Sequence, residues 1–403
     1  MPRLVSACLA ALALALSSGA ARADTELVVW HAYRAAEKAA IEKVAANYNA
    51  SHPGTKVTTL AVPYDAFADK ISAAVPRGKG PDVFIYAQDR LGGWIEAGNT
   101  VEPIDFFLDD ATKARFIPST LEAMIYKKTV YGLPVDYKVI TLIYNKKLVP
   151  KAPKTSGELE AMAKKLTDAK AGKFGIAYAY NDYYYHAALQ NGFGGRVFEG
   201  LSTPVLNNKE NLAGLEQLLK WIDAGILPAE PSSALITALF NGGNAAMVFS
   251  GPWFLGEIAG NIEYGLAPLP TLDAAKGQPM RPWMTVEGAF ISAPSKNKDA
   301  AYAFVKYLTD KESALIMGLE GRQSPSNRVI YDDPKVAADP VLKAFKTQVD
   351  VAVPMPNLPE MTMVWGPATT MMASVIKKGV TPQQGLEKAQ EQVIKEVAGL
   401  KKK

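Results

Sequence analysis

Short apolar runs alternate with stretches of helical periodicity in the early part of the chain. Leu27 to Trp30 is an apolar run typical of a buried strand. The run 57–62 predicts a second strand, and 64–75 predicts the helix that follows it. Between the two strands, apolar residues recur at helical spacing, at Ala36, Ala39, Ala40, Val44 and Tyr48. Alternating strands and helices predict a parallel sheet covered by helices on both faces.

The stretch 80–94 supplies a third predicted strand, and this strand ends in charged residues. Val83 to Tyr86 is apolar and follows a Gly-Pro turn, whereas Asp89, Arg90 and two glycines come directly after it. In open α/β sheets, the loops at the carboxyl ends of the strands form the crevice in which ligands bind. We therefore expect Asp89 and Arg90 at a ligand-binding edge; the alternative is a salt-bridged loop after an ordinary strand.

The rest of the chain predicts a second set of strands and helices. Residues 130–145 form an extended passage that Pro134 interrupts, and two proline-rich breaks follow at 268–282 and 354–359. Because the chain is too long for one hydrophobic core, these elements predict a second α/β domain. They are a helix opened by a capping box at Thr155, a strand over 174–180, a helix over 212–222, strands over 245–249 and 288–293, and a final helix opened by a capping box at Thr381.

Residues 1–23 have the pattern of a secretory signal peptide. Arg3 precedes an apolar run from Val5 to Leu16, and Ala21-Arg22-Ala23 fits the small-x-small pattern before the predicted cleavage point. The apolar run is about 12 residues long, too short for a membrane span of roughly 20. Most of the apolar run follows Cys8, the only cysteine, whereas in a lipoprotein box the apolar region comes before the cysteine, which argues against such a box. The sequence therefore predicts a periplasmic protein whose secreted part has no thiol.

Charge and motif content exclude several classes of function. The 44 basic and 40 acidic residues nearly balance, which argues against a nucleic-acid partner. The three histidines lie far apart, so no zinc-binding pair is predicted, and no nucleophile elbow, phosphate loop or dinucleotide fingerprint occurs. Carboxylate pairs such as Asp109-Asp110 cannot be assigned to glycoside chemistry from spacing alone.

Aromatic residues gather at predicted strand ends and in loops. A saccharide offers a C–H face on which rings stack and hydroxyls that exchange hydrogen bonds with Asp, Glu, Arg and Asn side chains. The pattern therefore favours a sugar-binding cleft. Two alternatives stay open, namely core packing of single tyrosines and ligation of ferric iron by adjacent tyrosines. The aromatic residues concerned are Tyr178, Tyr180, Tyr183, Tyr184, Tyr185, Trp253, Trp283 and Trp365.

Four groups of segments carry a resemblance to a known family, and they are spread over nearly the whole chain after residue 23. On these segments, the chain resembles the periplasmic solute-binding proteins of ABC sugar importers, most closely those that bind maltose and maltodextrins. The segments are Gly80-Pro81-Asp82 with 87–94, Leu142 to Lys146 with Pro153-Lys154-Thr155, Phe240 to Gly243 with Ala246-Met247 and Gly251-Pro252-Trp253, and Met355 to Met361 with Trp365.

The resemblance implies a fold and a function. The fold is a two-lobed α/β periplasmic binding protein of type II, with each lobe a sheet flanked by helices and the ligand cleft between them. Residues 24–136 and about 271–322 would form the N-terminal lobe, and residues 137–270 and about 323–403 the C-terminal lobe. The function is a monomeric receptor, not an enzyme and without a cofactor or metal, that captures maltose or malto-oligosaccharides by cleft closure and delivers them to an ABC importer.

The resemblance also implies site residues. Four rings would stack on glucose units and three polar side chains would bind hydroxyls: Tyr86, Tyr184, Trp253 and Trp365, with Asp89, Arg90 and Asp182.

This chain departs from the family pattern at two positions. Arg34 stands in the loop where the family has a lysine, so we predict Arg34 as a ligand contact. Lys138 stands where an acidic residue is usual, with Asp136 two positions earlier. The exact sugar therefore stays open. Trehalose or another oligosaccharide is one alternative, and a ferric-binding protein or a glycoside-active enzyme are others.

Overall fold

The computed structural model describes residues 25–200 and 202–400. The predicted signal segment, 1–23, and Cys8 lie outside these ranges. The strands in the described ranges are β1 (Thr25–His31), β2 (Thr55–Ala61), β3 (Val83–Ala87), β4 (Ile125–Tyr126), β5 (Thr129–Val130), β6 (Gly132–Lys138), β7 (Thr141–Asn145), β8 (Phe174–Ala177), β9 (Phe198–Glu199), β10 (Thr203–Pro204), β11 (Ala245–Ser250), β12 (Tyr264–Ala267), β13 (Thr271–Leu272), β14 (Gln278–Pro279), β15 (Trp283–Ile291), β16 (Ser324–Pro325) and β17 (Val353–Pro354).

Helices separate most of these strands. In the same ranges they are α1 (Ala35–Ser51), α2 (Tyr64–Ala74), α3 (Leu91–Ala97), α4 (Asp110–Ala114), α5 (Pro118–Glu122), α6 (Ser156–Leu166), α7 (Tyr183–Gly192), α8 (Lys209–Asp223), α9 (Ser233–Asn241), α10 (Pro252–Leu255), α11 (Lys298–Leu308), α12 (Lys311–Leu319), α13 (Pro334–Ala337), α14 (Pro340–Val349), α15 (Pro359–Thr362), α16 (Trp365–Ile376) and α17 (Pro382–Leu400). None of them has both the length and the apolar character needed to cross a membrane.

The first sheet has the strand order β16-β6-β15-β3-β1-β2, and β17 pairs with β15. The predicted βαβ unit is confirmed, because β1 runs parallel to β2 and to β3. Every residue of β3 is buried, as expected for a strand with neighbours on both sides. Helix α1 buries a face at Ala40, Val44 and Tyr48, but Ala39, which was predicted on that face, is exposed.

The second sheet has the order β12-β7-β11-β8, in which β11 pairs antiparallel with β7 and parallel with β8. The strand predicted over 174–180 is shorter than expected, since β8 ends at Ala177 and the aromatic residues that follow it in the chain lie in a loop. The predicted capping box at Thr381 is complete, since its N–H also donates to Gln384 Oε1 at 3.1 Å, whereas at Thr155 the Glu158 carboxylate accepts the N–H of Lys154 instead of that of Thr155. Thr155 Oγ1 accepts a hydrogen bond from the Glu158 N–H, and Thr381 Oγ1 accepts one from the Gln384 N–H, each at 3.2 Å.

One predicted break, at Pro134, is part of a strand, and one predicted strand is part of a longer one. The strand predicted over 288–293 is the second half of β15, which begins directly after Pro282. Pro134 lies inside β6, where Glu287 pairs with Asp136 but the next residue of β15, Gly288, pairs with Pro134. This β-bulge tolerates a residue without an N–H and turns the end of β6 toward the loop after β1.

The two sheets form the centres of two lobes, each flanked by helices. The chain passes from the first to the second between β6 and β7 and returns between β12 and β15. Strand pairing alone does not fix the predicted lobe limits, because β16 and β17, which follow residue 322, join the first sheet. The limits stay a prediction.

Candidate functional site

Loops from both lobes meet between the two sheets. The first lobe supplies the turn Gln88–Arg90 after β3, and the second supplies the starts of α7, α10 and α16. Three predicted site residues meet there directly. Trp365 Nε1 donates a hydrogen bond to Asp89 Oδ2 at 3.1 Å, and Arg90 Nε lies 3.1 Å from the same oxygen. The Arg90 guanidinium carbon also lies 5.8 Å from the centre of the Trp365 ring.

Four rings extend from this group, three from the second lobe and Trp283 from the start of β15, and we call them the aromatic wall. Tyr184 lies 6.2 Å from Trp253 and 6.5 Å from Trp283, and Trp283 lies 5.8 Å from Trp365, measured between ring centres. Trp283 is buried, whereas the other three are partly exposed. Since Trp365 belongs to both groups, five of the predicted site residues line one continuous surface, and Trp283 supports it from behind.

The segment that carries Trp365 is held against the first lobe. Gln88 Nε2 donates to the carbonyl of Met355, and the Gly92 N–H donates to the carbonyl of Asn357, at 3.0 and 3.1 Å. A Cβ on Gly92 would lie 2.5 Å from that Asn357 oxygen, so only glycine allows this approach. The glycines after Arg90 therefore serve chain packing here, and they help fix the position of Trp365.

Tyr86 does not present its ring to the cleft. Its ring centre lies 4.9 Å from that of Tyr64 and 4.8 Å from that of Phe67, and the residue is only 4% exposed. The predicted stacking of Tyr86 on a glucose unit thus lacks the ring surface that it needs. Tyr64 is 50% exposed, and its ring covers Tyr86. Sequence reasoning missed Tyr64, although an aromatic residue at the first position of α2 was the available signal.

Two other predicted contacts have protein partners. Arg34 Nε lies 2.9 Å from Glu257 Oε1, on the second lobe. Asp182 caps α7, with its Oδ1 accepting the Tyr184 N–H at 2.9 Å, and its side chain is otherwise exposed. The cap therefore fixes the start of the helix from which Tyr184 projects.

A buried charge network lies next to these groups, formed by Tyr33, Glu37, Asp136, Lys138 and Glu287. Lys138 Nζ lies 3.2 Å from Glu37 Oε1 and 3.1 Å from Glu287 Oε1, and the Tyr33 hydroxyl donates to Asp136 Oδ2 at 2.7 Å. The bulge in β6 puts Asp136 directly opposite Glu287. Sequence reasoning found Asp136 and Lys138 but missed the other three, because they come from segments far apart in the chain.

Two carboxylates, those of Glu37 and Glu287, pair with one ammonium group in this network, and a third, that of Asp136, lies beside them. Burial and the nearby Glu287 raise the pKa of Asp136 well above its usual range, and burial also raises the pKa of Glu287. Burial alone would lower the pKa of Lys138, but Glu287 and Glu37 outweigh it and raise that pKa. Lys138 is therefore charged at all ordinary pH values.

The three consecutive tyrosines point in different directions. Tyr183 is buried and its hydroxyl donates to Gln190 Oε1 at 2.6 Å, whereas Tyr184 and Tyr185 are partly exposed. Residues 25–200 and 202–400 contain no group of three His, Cys, Asp or Glu side chains that could hold a metal ion. Tyr183 thus belongs to the core, and only its two neighbours border the cleft.

Comparison with known proteins gives the family. The family model described as "Bacterial extracellular solute-binding protein" matches residues 32–315. The chain belongs to this family. Its members are named for extracellular solute binding, and the predicted family is confirmed.

Relatives and solved structures extend this result. The maltotriose-binding protein of Pyrococcus abyssi is 32% identical over 93% of this chain and 83% of its own length. The galactooligosaccharide-binding protein of Bacillus subtilis is 28% identical over 91% of this chain and 88% of its own length. The structure of Thermus thermophilus maltotriose binding protein bound with maltotriose matches with a TM-score of 0.85, at 26% identity, over 92% of this chain and all of that one. The predicted fold class of this solute-binding protein is confirmed.

Proposed function

We propose that this protein captures malto-oligosaccharides in the cleft between its lobes and delivers them to an ABC importer in the membrane. It acts as a periplasmic, monomeric receptor without catalytic activity. The observation that carries the proposal is the meeting of the aromatic wall with the Asp89–Arg90–Trp365 group. This arrangement offers ring faces and a charged hydrogen-bonding pair on one surface, which are the two kinds of contact that a sugar needs.

The rings provide a large share of the binding energy. If stacking on a sugar resembles an aromatic pair, each ring contributes about 0.5–1.5 kcal/mol beyond the area that it buries. Tyr184, Trp253 and Trp365 are partly exposed, and the ring of Tyr64 is half exposed on the first lobe. Four such rings and a few charged hydrogen bonds are enough for micromolar affinity, about −8 kcal/mol.

Polar atoms at the cleft complete the site. Asp89 and Arg90 bind sugar hydroxyls as acceptor and donor, and Asp182 binds a hydroxyl at the opposite rim. Within the described ranges, the buried hydroxyl of Tyr184, on the aromatic wall, has no hydrogen-bond partner. Buried polar atoms are normally satisfied, and a ligand hydroxyl would satisfy this one.

The relatives favour an α-glucan and also supply a second candidate. Two of the similar proteins are named for maltotriose, whereas the Bacillus relative is named for galactooligosaccharides. The two classes of sugar differ in the hydroxyl at C4 and in the linkage, so one titration panel separates them.

Isothermal titration calorimetry with maltose, maltotriose, trehalose and a galactotriose tests the proposal. We expect micromolar or tighter binding of maltotriose, a rise in melting temperature, and a change in tryptophan fluorescence. Tight binding of galactotriose alone would change the assigned ligand to a galactooligosaccharide. No response to any α-glucan would overturn the proposed function. Release of reducing sugar from maltodextrin would reveal an enzyme, and visible phenolate colour with bound iron would reveal a ferric-binding protein.

A further inference from the structure

An ion pair joins the two lobes outside the Asp89–Arg90–Trp365 group. Arg34 directly precedes α1, which packs on β2 in the first lobe, and Glu257 follows α10 in the second lobe. Their side chains meet at 2.9 Å and are 47% and 23% exposed. We propose that the Arg34–Glu257 pair is a positioning contact that forms when the lobes close and that slows the release of the ligand without touching it.

Glu257 is held firmly on the second lobe. Its Oε2 accepts a hydrogen bond from Thr237 Oγ1 at 2.9 Å, and its carbonyl accepts one from Asn241 Nδ2 at 2.8 Å. The carboxylate therefore has little freedom to follow Arg34 when the lobes separate. Opening the cleft breaks the pair, so the pair stabilises the closed state relative to the open one.

The same segment connects this contact to the aromatic wall. Trp253 lies four residues before Glu257 in the chain, and Gly256 lies against the start of α1. A Cβ on Gly256 would lie 3.3 Å from the Cβ of Ala36. The backbone between Trp253 and the ion pair thus contacts the first lobe. This contact fixes the position of the Trp253 ring relative to the cleft.

On the first lobe, the backbone of Arg34 is tied to the buried charge network. The Arg34 N–H donates to Glu37 Oε2 at 3.3 Å, and the other oxygen of Glu37 lies beside Lys138. The backbone from which the Arg34 side chain extends is therefore fixed in position. This geometry accounts for Arg34 by a contact between lobes rather than by the sugar contact predicted from sequence.

Because the ligand is neutral, the salt dependence of its affinity reports on the ion pair. The inference rests on the proposed function for its ligand, maltotriose, which carries no charge, so ionic strength acts on its affinity mainly through charges of the protein. For a partly exposed pair, we expect the affinity to fall about two- to five-fold between 20 and 500 mM NaCl. The Glu257→Gln variant should lose a similar factor at low salt, mainly through faster dissociation, and should bind independently of salt.

Two comparisons make the test specific. Glu263→Gln removes a 3.2 Å ion pair with Lys146 inside the second lobe, and we expect it to leave both the affinity and its salt dependence unchanged. Exchange of the charges, Arg34→Glu with Glu257→Arg, should restore most of the affinity lost in Glu257→Gln. If Arg34 binds the sugar instead, the charge exchange will not restore the affinity. That result, or a Glu257→Gln variant that matches the wild type at both salt concentrations, overturns the proposal.

Small-angle X-ray scattering gives a second readout that needs no ligand. The ligand-free Glu257→Gln variant should have a larger radius of gyration than the wild type at 20 mM NaCl, and high salt should remove the difference. Equal radii together with equal affinities contradict the proposal. A wild-type protein that binds no maltotriose overturns the proposed function instead, and the scattering comparison then decides on the ion pair by itself.

Discussion

The hydrogen bond between Trp365 and Asp89 is the contact whose removal tests the site most directly. Trp365→Phe keeps an aromatic ring on the wall but removes the Nε1–H that donates to Asp89 at 3.1 Å. Asp89 is only 3% exposed, so its Oδ2 then depends on Arg90 alone. A hydrogen bond to a charged, buried group contributes about 1.5–3 kcal/mol, and we expect maltotriose affinity to fall about 10- to 150-fold.

Comparing Trp365→Ala with Trp365→Phe separates the contribution of the ring to binding from that of its N–H group. The alanine variant also loses the stacking surface, about 0.5–1.5 kcal/mol, and the contact with the Arg90 guanidinium, about 0.5–1 kcal/mol at a partly exposed site. It should therefore bind roughly ten times more weakly than the phenylalanine variant. Because Trp365 is partly exposed and begins α16, both variants should melt within a few degrees of the wild type. Loss of the fold in either variant would assign Trp365 to the core.

The pH dependence of binding gives an independent check. Burial raises the pKa of Asp89, while Arg90 and the Trp365 hydrogen bond lower it. Removing the Trp365 donor therefore raises this pKa further. As the pH falls, Asp89 becomes protonated and stops accepting hydroxyl groups, so Trp365→Phe should lose affinity at a higher pH than the wild type does. Calorimetric titrations at a series of pH values would refute the argument if the two profiles were parallel and the affinities equal.

Three further predictions concern the rest of the cleft. Tyr64→Ala should weaken maltotriose binding about 2- to 12-fold, whereas Tyr86→Phe should leave it nearly unchanged, as measured by calorimetry. Lys138→Met leaves two buried carboxylates without their cation and should lower the free energy of unfolding by about 3–5 kcal/mol in urea denaturation. The raised pKa of Asp136 means that the folded state holds a proton more tightly than the unfolded state, so this group reduces stability as the pH rises above about 4. Asp136→Asn should therefore flatten the loss of stability toward high pH in thermal melts.

Local patterns in the sequence predicted the parts of the site that depend on one element. Asp89 and Arg90 follow a short buried strand, so their place at a sheet edge was accessible from the strand alone. Tyr64 and Tyr86 show the limit of such reasoning. Both are aromatic and near the cleft, but which ring covers the other depends on how α2 lies over β3, and spacing along the chain does not contain that information.

The buried charge network was harder still to predict from the sequence. Lys138 stood out as a departure from the family pattern, yet its partners Glu37 and Glu287 lie on α1 and β15, distant in the chain. Their meeting depends on the bulge at Pro134, which sequence analysis took for an interruption of the extended passage. A proline in a predicted strand therefore marked a local change in strand pairing rather than the end of the strand.

The two lobes supply different side chains to the proposed site, and this division explains why binding favours closure. The charged groups Asp89, Arg90 and Lys138 belong to the first sheet and its loops, whereas Tyr184, Trp253 and Trp365 follow elements of the second lobe. In the proposed site, a sugar that touches one lobe alone makes only some of these contacts and gains only part of the binding free energy. The contact between Trp365 and Asp89 joins the lobes inside the cleft, whereas the Arg34–Glu257 pair joins them outside the Asp89–Arg90–Trp365 group. We therefore propose that the first contact contributes to ligand affinity and that the second prolongs the closed state.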